Sequence, residues 1–154
     1  MTLKTALFDI IDGFNSANLS YAVCGGMAVA IHGYPRATQD LDLMIPEDDL
    51  ELATATLESL GFDLSAGMIP FDLDQPSERH IFRVSKAVGS ALLTVDLLLV
   101  NSFLKPIWES RETHEIDGHK LCVVSRQGLG ELKRIAGRLQ DLADIEHLGL
   151  DDGS

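Results

Sequence analysis

The chain has 154 residues, 45% hydrophobic and 23% charged, a balance that suits one globular domain burying roughly two-thirds of its unfolded surface and excludes a disordered tail. Twenty-four acidic side chains against 12 basic ones give a formal charge of −12. That excludes a sequence-independent grip on nucleic-acid phosphates, and no sequence-specific DNA binding is expected; a nucleic-acid partner would need a local patch.

Asp9 and Asp12 interrupt the apolar pattern of the N-terminus, which is wrong for a signal peptide. The uncharged stretch 21–31 is too short to span a bilayer. A cytoplasmic protein without a membrane partner is the expectation. Leu7, Ile10, Ile11 and Phe14 recur at helical spacing, so 3–15 reads as an amphipathic helix. Residues 15–20 read as a turn into the first strand. Cys24 and Cys122 lie in apparent core strands and read as buried, reduced thiols.

Residues 21–45 carry the first chemistry. A buried strand (21–24) meets Gly25-Gly26, a short apolar helix (27–32) and a second strand with Asp40 and Asp42. Two residues apart on a strand, both carboxylates leave one face, with backbones about 7 Å apart. Like charges side by side against a core are unfavourable unless a cation joins them, so a divalent metal is the leading candidate. A glycine pair opening a helix brings bare backbone and the positive helix end to a ligand, which suits phosphate. No Gly-Lys-Ser/Thr follows, so this is not a Walker loop. Met44 and Ile45 exclude an EF-hand.

Pro46-Glu47-Asp48-Asp49 opens a helix that carries Leu50, Ala53, Leu57 and Leu60 on one face and stops at Gly61. Gly67, Pro70 and Pro76 interrupt 62–75, which reads as a short strand and a mobile loop near the site mouth. Residues 79–84 alternate and pair, through a turn ending at Ser90, with the strand L-L-T-V-D-L-L-L-V. That strand is nearly all apolar, hence central and covered on both faces. Asp96 in its middle would cost several kcal/mol if charged and unpartnered. Either it joins Asp40 and Asp42 around a metal, or an arginine such as Arg79 or Arg83 satisfies it.

Residues 102–111 read as a helix packing through Phe103, Ile107 and Trp108, with Pro106 in its first turns. A hairpin turning at Asp117-Gly118 follows. His114-Glu115 and His119 are one residue too far apart for a helical zinc motif and read as surface residues. Ser125 caps a C-terminal helical segment, 125–148, with Leu129, Leu132 and Ile135 or Ala136 on the apolar face and a break at Gly137. Lys133, Arg134 and Arg138 stand out in so acidic a chain; a helical ion-pair lattice, Arg138 with Asp141, is the structural alternative.

Gly25-Gly26, Arg36-x-Thr38-x-Asp40-x-Asp42 and the later Asp96 resemble the signature of nucleotidyltransferases with a DNA polymerase β-type palm. Lys133-x-x-x-Gly137-Arg138-x-x-Asp141-x-x-Asp144 is similar to the closing motif of the AbiEii-like, minimal nucleotidyltransferases of abortive-infection and toxin–antitoxin pairs. The resemblance implies an α+β (mixed α/β) fold, a small mixed β-sheet with packed helices, spanning 1–154 as a single domain. It implies an enzyme that moves an NMP from an NTP to a hydroxyl or phosphate of a protein or RNA acceptor, tRNA included, within a toxin–antitoxin pair.

In that reading Asp40, Asp42 and Asp96 are catalytic and hold two Mg²⁺ or Mn²⁺ ions, since oxygen donors and a phosphate substrate suit these better than zinc. Gly25, Gly26, Arg36, Thr38, Lys133 and Arg138 are the nucleotide-binding candidates. Ser often replaces the second glycine in the family, so backbone must serve at Gly26. The chain's shortness keeps open a non-catalytic, antitoxin-like module that binds nucleotide or a partner, and a hydrolase that uses the same metals with water as acceptor is a further alternative.

Overall fold

The computed structural model describes residues 2–33 and 40–137. Its elements are α1 (Leu3–Ser16), β1 (Ala22–Cys24), α2 (Gly25–Ile31), β2 (Asp40–Pro46), α3 (Leu50–Ser59), β3 (Leu64–Phe71), β4 (Arg79–Val88), β5 (Ala91–Val100), α4 (Lys105–Glu109), β6 (Glu112–Ile116), β7 (His119–Val123) and α5 (Arg126–Ala136). The seven strands form one sheet in the order β3-β4-β5-β2-β1-β7-β6. β2 runs parallel to β5 and antiparallel to β1, so the sheet is mixed, and the α+β expectation holds.

α1 starts where Thr2 accepts a hydrogen bond from the Thr5 amide, an N-cap that satisfies one orphan donor. Its stripe of Ala6, Leu7, Ile10, Ile11 and Phe14 is buried. The helix packs beside α3 and against β2, and each large side chain buried there contributes on the order of 1.5–3 kcal/mol. The central strands are apolar because both their faces are covered: Leu41, Leu43, Met44, Ile45, Val95 and Leu97 are all fully buried. In β5 this cover holds only from Val95 to Leu99; the other end of the strand is open, and Leu92 is 63% exposed.

Residues 62–75 differ from expectation. The strand there, β3, is eight residues long and runs through both Gly67 and Pro70. It is an edge strand bonded only to β4, where a missing N–H costs no ladder bond. Gly67, at φ +78°, absorbs a register shift, as a bulge does. The following loop is tied down: Asp72 accepts from Ser77 Oγ at 2.7 Å and Arg79 at 2.8 Å, while the Asp74 amide donates to Glu78 at 2.9 Å.

The expected helix 102–111 is shorter. The Asn101 side chain accepts from the Leu104 amide at 3.0 Å and donates to the Glu78 carbonyl at 2.8 Å, closing a turn over 101–104. Pro106, which lacks an N–H, then falls in the first helical turn, where none is needed. Leu104, not Phe103, is the residue buried there. The β6–β7 hairpin turns at Asp117 (φ +50°) and Gly118 (φ +82°) as expected, both residues left-handed as a tight hairpin turn demands. Among the described residues no helix is long and apolar enough to cross a membrane.

Candidate active site

β1 ends at Cys24, and the chain turns into α2 at Gly25, whose φ is +65°. A Cβ built on Gly25 would lie 2.1 Å from Asp42 Oδ2 and 2.7 Å from its Cγ. The glycine therefore serves two needs, a left-handed backbone and room for the Asp42 carboxylate. Gly26 is buried in the first turn of α2.

Strand pairing places the acidic residues. Cys24 on β1 faces Asp42 on β2, Asp42 faces Asp96 on β5, and Asp96 faces Arg83 on β4. Residues level across a sheet project to the same side, so these four form one row. Asp40, two residues before Asp42 and level with Thr94, shares that face. Asp40, Asp42 and Asp96 thus stand on one side of the sheet.

Asp96 is 8% exposed in its side chain and is gripped by Arg83. Nε of Arg83 donates to Oδ1 at 2.8 Å and Nη2 donates to Oδ2 at 3.0 Å, the two-pronged geometry that makes such pairs strong. The Asp96 hydrogen bond and charge raise the Arg83 pKa against partial burial, with smaller help from the charges of Asp40 and Asp42. Of the two arginines considered for this role, Arg79 instead bonds Asp72. Arg83 was legible as an alternating residue of β4, but its register against Asp96 depends on the hairpin turn.

Lys133 is 5% exposed. α5 buries Gly128, Leu129, Gly130 and Lys133, so the expected placement of Ile135 or Ala136 on the inner face gives way to a lysine. Burial pushes the Cys24 thiol well up, Asp42 adds to this, Lys133 opposes it, and Asp96 raises it further. Asp42, Asp96 and Lys133 thus all act on this thiol. Cys24 is buried and Cys122 half-buried. Arg36, Thr38 and Arg138, together with the second helix expected after Gly137, lie outside the described residues.

The histidines behave differently from expectation. His119 stacks on Phe8 with ring centroids 4.0 Å apart. His114 is half-buried and, with His32 and Glu112, forms the one group of His, Cys, Asp or Glu among the described residues whose donor atoms all lie within 4.8 Å of one another. This group belongs to the edge strand β6 and the end of α2, three strands from β2. His32 Nε2 lies 2.8 Å from the Val124 carbonyl and His114 Nε2 lies 3.0 Å from Glu112, so both rings have protein partners.

The three carboxylates on this face are the oxygen donors that a hard divalent cation takes, although their oxygens do not all lie within 4.8 Å of one another. The guanidinium of Arg83, bonded to Asp96 and raised in pKa chiefly by it, already sets one cation against this acidic face.

A family model described as aminoglycoside-2''-adenylyltransferase matches residues 6–127. The structure of ANT(2'')-Ia in complex with adenylyl-2''-tobramycin superposes with a TM-score of 0.60 at 19% identity, covering 96% of this chain and 86% of that one. A Thermotoga maritima protein described as a nucleotidyltransferase gives 0.60 at 13%, covering 93% and 89%. A Helicobacter pylori protein so described gives 0.52 at 14%, covering 96% and 69%. No functionally curated protein sequence matches significantly.

Proposed function

We propose, for a chain that belongs to the aminoglycoside-2''-adenylyltransferase family and is a nucleotidyltransferase, that it transfers AMP from ATP to a hydroxyl of a small cationic acceptor. One observation carries this: Asp42 and Asp96 stand level on adjacent parallel strands, with Asp40 on the same face and the Gly25 turn beside Asp42.

Asp40 and Asp42 would hold the Mg²⁺ or Mn²⁺ that carries the triphosphate, and with Asp96 a second ion. Bound there, divalent ions neutralise phosphate charge and acidify the attacking hydroxyl. The acceptor oxygen attacks the α-phosphorus, the bond to the β-phosphate oxygen breaks, pyrophosphate leaves and the hydroxyl proton passes to the aspartates or water. Gly25 and Gly26 bring backbone to the β- and γ-phosphates, and Lys133 adds a buried positive charge near enough to act on Cys24. Arg36, Thr38 and Arg138 are proposed phosphate contacts from the flanking segments.

The acceptor class follows from charge. A net charge of −12 draws in a polycationic, hydroxylated molecule and repels RNA. ANT(2'')-Ia, the relative captured with adenylyl-2''-tobramycin, sets the model for such an acceptor. The protein or RNA acceptor and the toxin–antitoxin pairing drawn from the AbiEii-like resemblance are the competing outcome.

The test is incubation with each α-labelled NTP and Mg²⁺ in three parallel series, offering aminoglycosides, tRNA or protein. Label from ATP on an aminoglycoside, lost with chelator and in Asp40→Asn/Asp42→Asn of unchanged circular dichroism, is the expected result. Label on RNA or protein alone would replace the acceptor. NTP binding without transfer would leave a binding module, and release of free AMP a hydrolase.

A further inference from the structure

Both carboxylate oxygens of Asp96 are bonded to one group, the Arg83 guanidinium. Asp96 is nearly buried, whereas the Arg83 side chain is 41% exposed. The pair is therefore asymmetric: the acid is fixed in a central strand, and the base reaches in from a neighbouring strand with one flank in solvent. A divalent cation on Asp96 would sit within a few ångströms of the guanidinium, where like charges repel by several kcal/mol even at an effective dielectric constant near 20. Metal and arginine cannot both hold this carboxylate at full strength.

Resting on the metal-dependent reading above, we propose that Arg83 is a placeholder cation. In the metal-free protein it neutralises Asp96 and keeps a buried charge from standing alone. When a divalent ion takes over the carboxylate, the guanidinium is released on its exposed side and binds the incoming triphosphate. Its planar fork of donors matches phosphate oxygens as well as it matches a carboxylate. Metal loading and nucleotide capture are thereby coupled through one side chain, which is a positioning and substrate-binding group rather than a proton carrier.

The coupling has opposite signs at its two ends, which makes it testable. Arg83→Met removes the competitor, so Mn²⁺ binding without nucleotide, read by electron paramagnetic resonance, should tighten roughly tenfold, the scale of a lost charged hydrogen bond. ATP affinity in saturating Mg²⁺ should weaken by a similar factor. Arg83→Lys keeps the charge without the fork and should fall between, which guards against a variant that merely unfolds.

The decisive arm repeats Arg83→Met in an Asp96→Asn background. If Arg83 acts through Asp96, its removal there leaves Mn²⁺ affinity unchanged; an equal tightening in both backgrounds reports a general field and overturns the placeholder role. Unchanged Mn²⁺ affinity in Arg83→Met itself, or unchanged ATP affinity, also overturns it. Wild-type protein that binds no Mn²⁺ would instead remove the metal reading, and the proposal with it, a result distinct from the others.

Discussion

The Cα of Gly25 faces the Asp42 carboxylate so closely that a methyl group would lie 2.1 Å from Oδ2. Such a contact does not occur between real atoms, so Asp42 must leave its place if any side chain is added. The metal-holding geometry proposed for β2 thus depends on the absence of a single carbon on β1's exit turn.

Gly25→Ala is expected to cost transfer activity roughly 100-fold or more, the scale of misplacing a catalytic group by about an ångström. Gly89 supplies the control. Its φ of +61° nearly equals the +65° of Gly25, yet nothing lies within 4 Å of its would-be Cβ. Gly89→Ala should lose about 1–2 kcal/mol of stability from backbone strain and keep its activity. Equal activity losses in the two variants would refute the steric role.

Asp96→Asn keeps the shape of the side chain and one acceptor for Arg83, whose exposed flank can be rehydrated. Unfolding should therefore be easier by about 1–3 kcal/mol, with circular dichroism unchanged, while kcat falls by roughly 100-fold or more. Chemical denaturation and steady-state turnover on the same sample check both. A variant that loses stability but turns over normally would make Asp96 a purely structural anchor for Arg83.

Much of this arrangement was legible in the residues. Spacing alone located α1, the D-x-D strand and the central strand with its lone acid, and Asp117-Gly118 located the hairpin, because periodicity and left-handed turns are local properties. What failed depended on neighbours. Pro70 reads as a strand breaker until β3 is known to be an edge. Ile135 reads as core until Lys133 is found buried in its stead. Asp96 had two candidate arginines, and only the β4–β5 register chose Arg83.

The loop after β3 carries a pH signature. Hydrogen bonds from Ser77 and Arg79 hold the Asp72 carboxyl below its usual range, and the Asp74 amide, with His80, does the same for Glu78. Both folded pKa values are depressed, so the stabilisation is present above the ordinary carboxylate range and is lost as pH falls through the depressed values. Amide exchange at Asp74 should accelerate in that acidic window beyond its intrinsic rate, and Asp72→Asn should loosen the loop already at neutral pH. Exchange that follows only the intrinsic pH dependence would show the ties to be inconsequential.

Lys133 offers the sharpest separation of roles on α5, because its neighbour Arg134 is outward and paired with Glu131 at 3.2 Å. If the buried ammonium holds nucleotide, Lys133→Met should raise the KM for ATP roughly tenfold, the order of one charge-assisted phosphate contact, whereas Arg134→Met should leave it unchanged. A second readout needs no substrate. Lys133 lowers the Cys24 pKa against burial, so removing its charge should push that thiol higher still and slow alkylation of Cys24 at a given alkaline pH. Slower alkylation with an unaltered KM would place Lys133 beside the aspartate row but outside the nucleotide's reach.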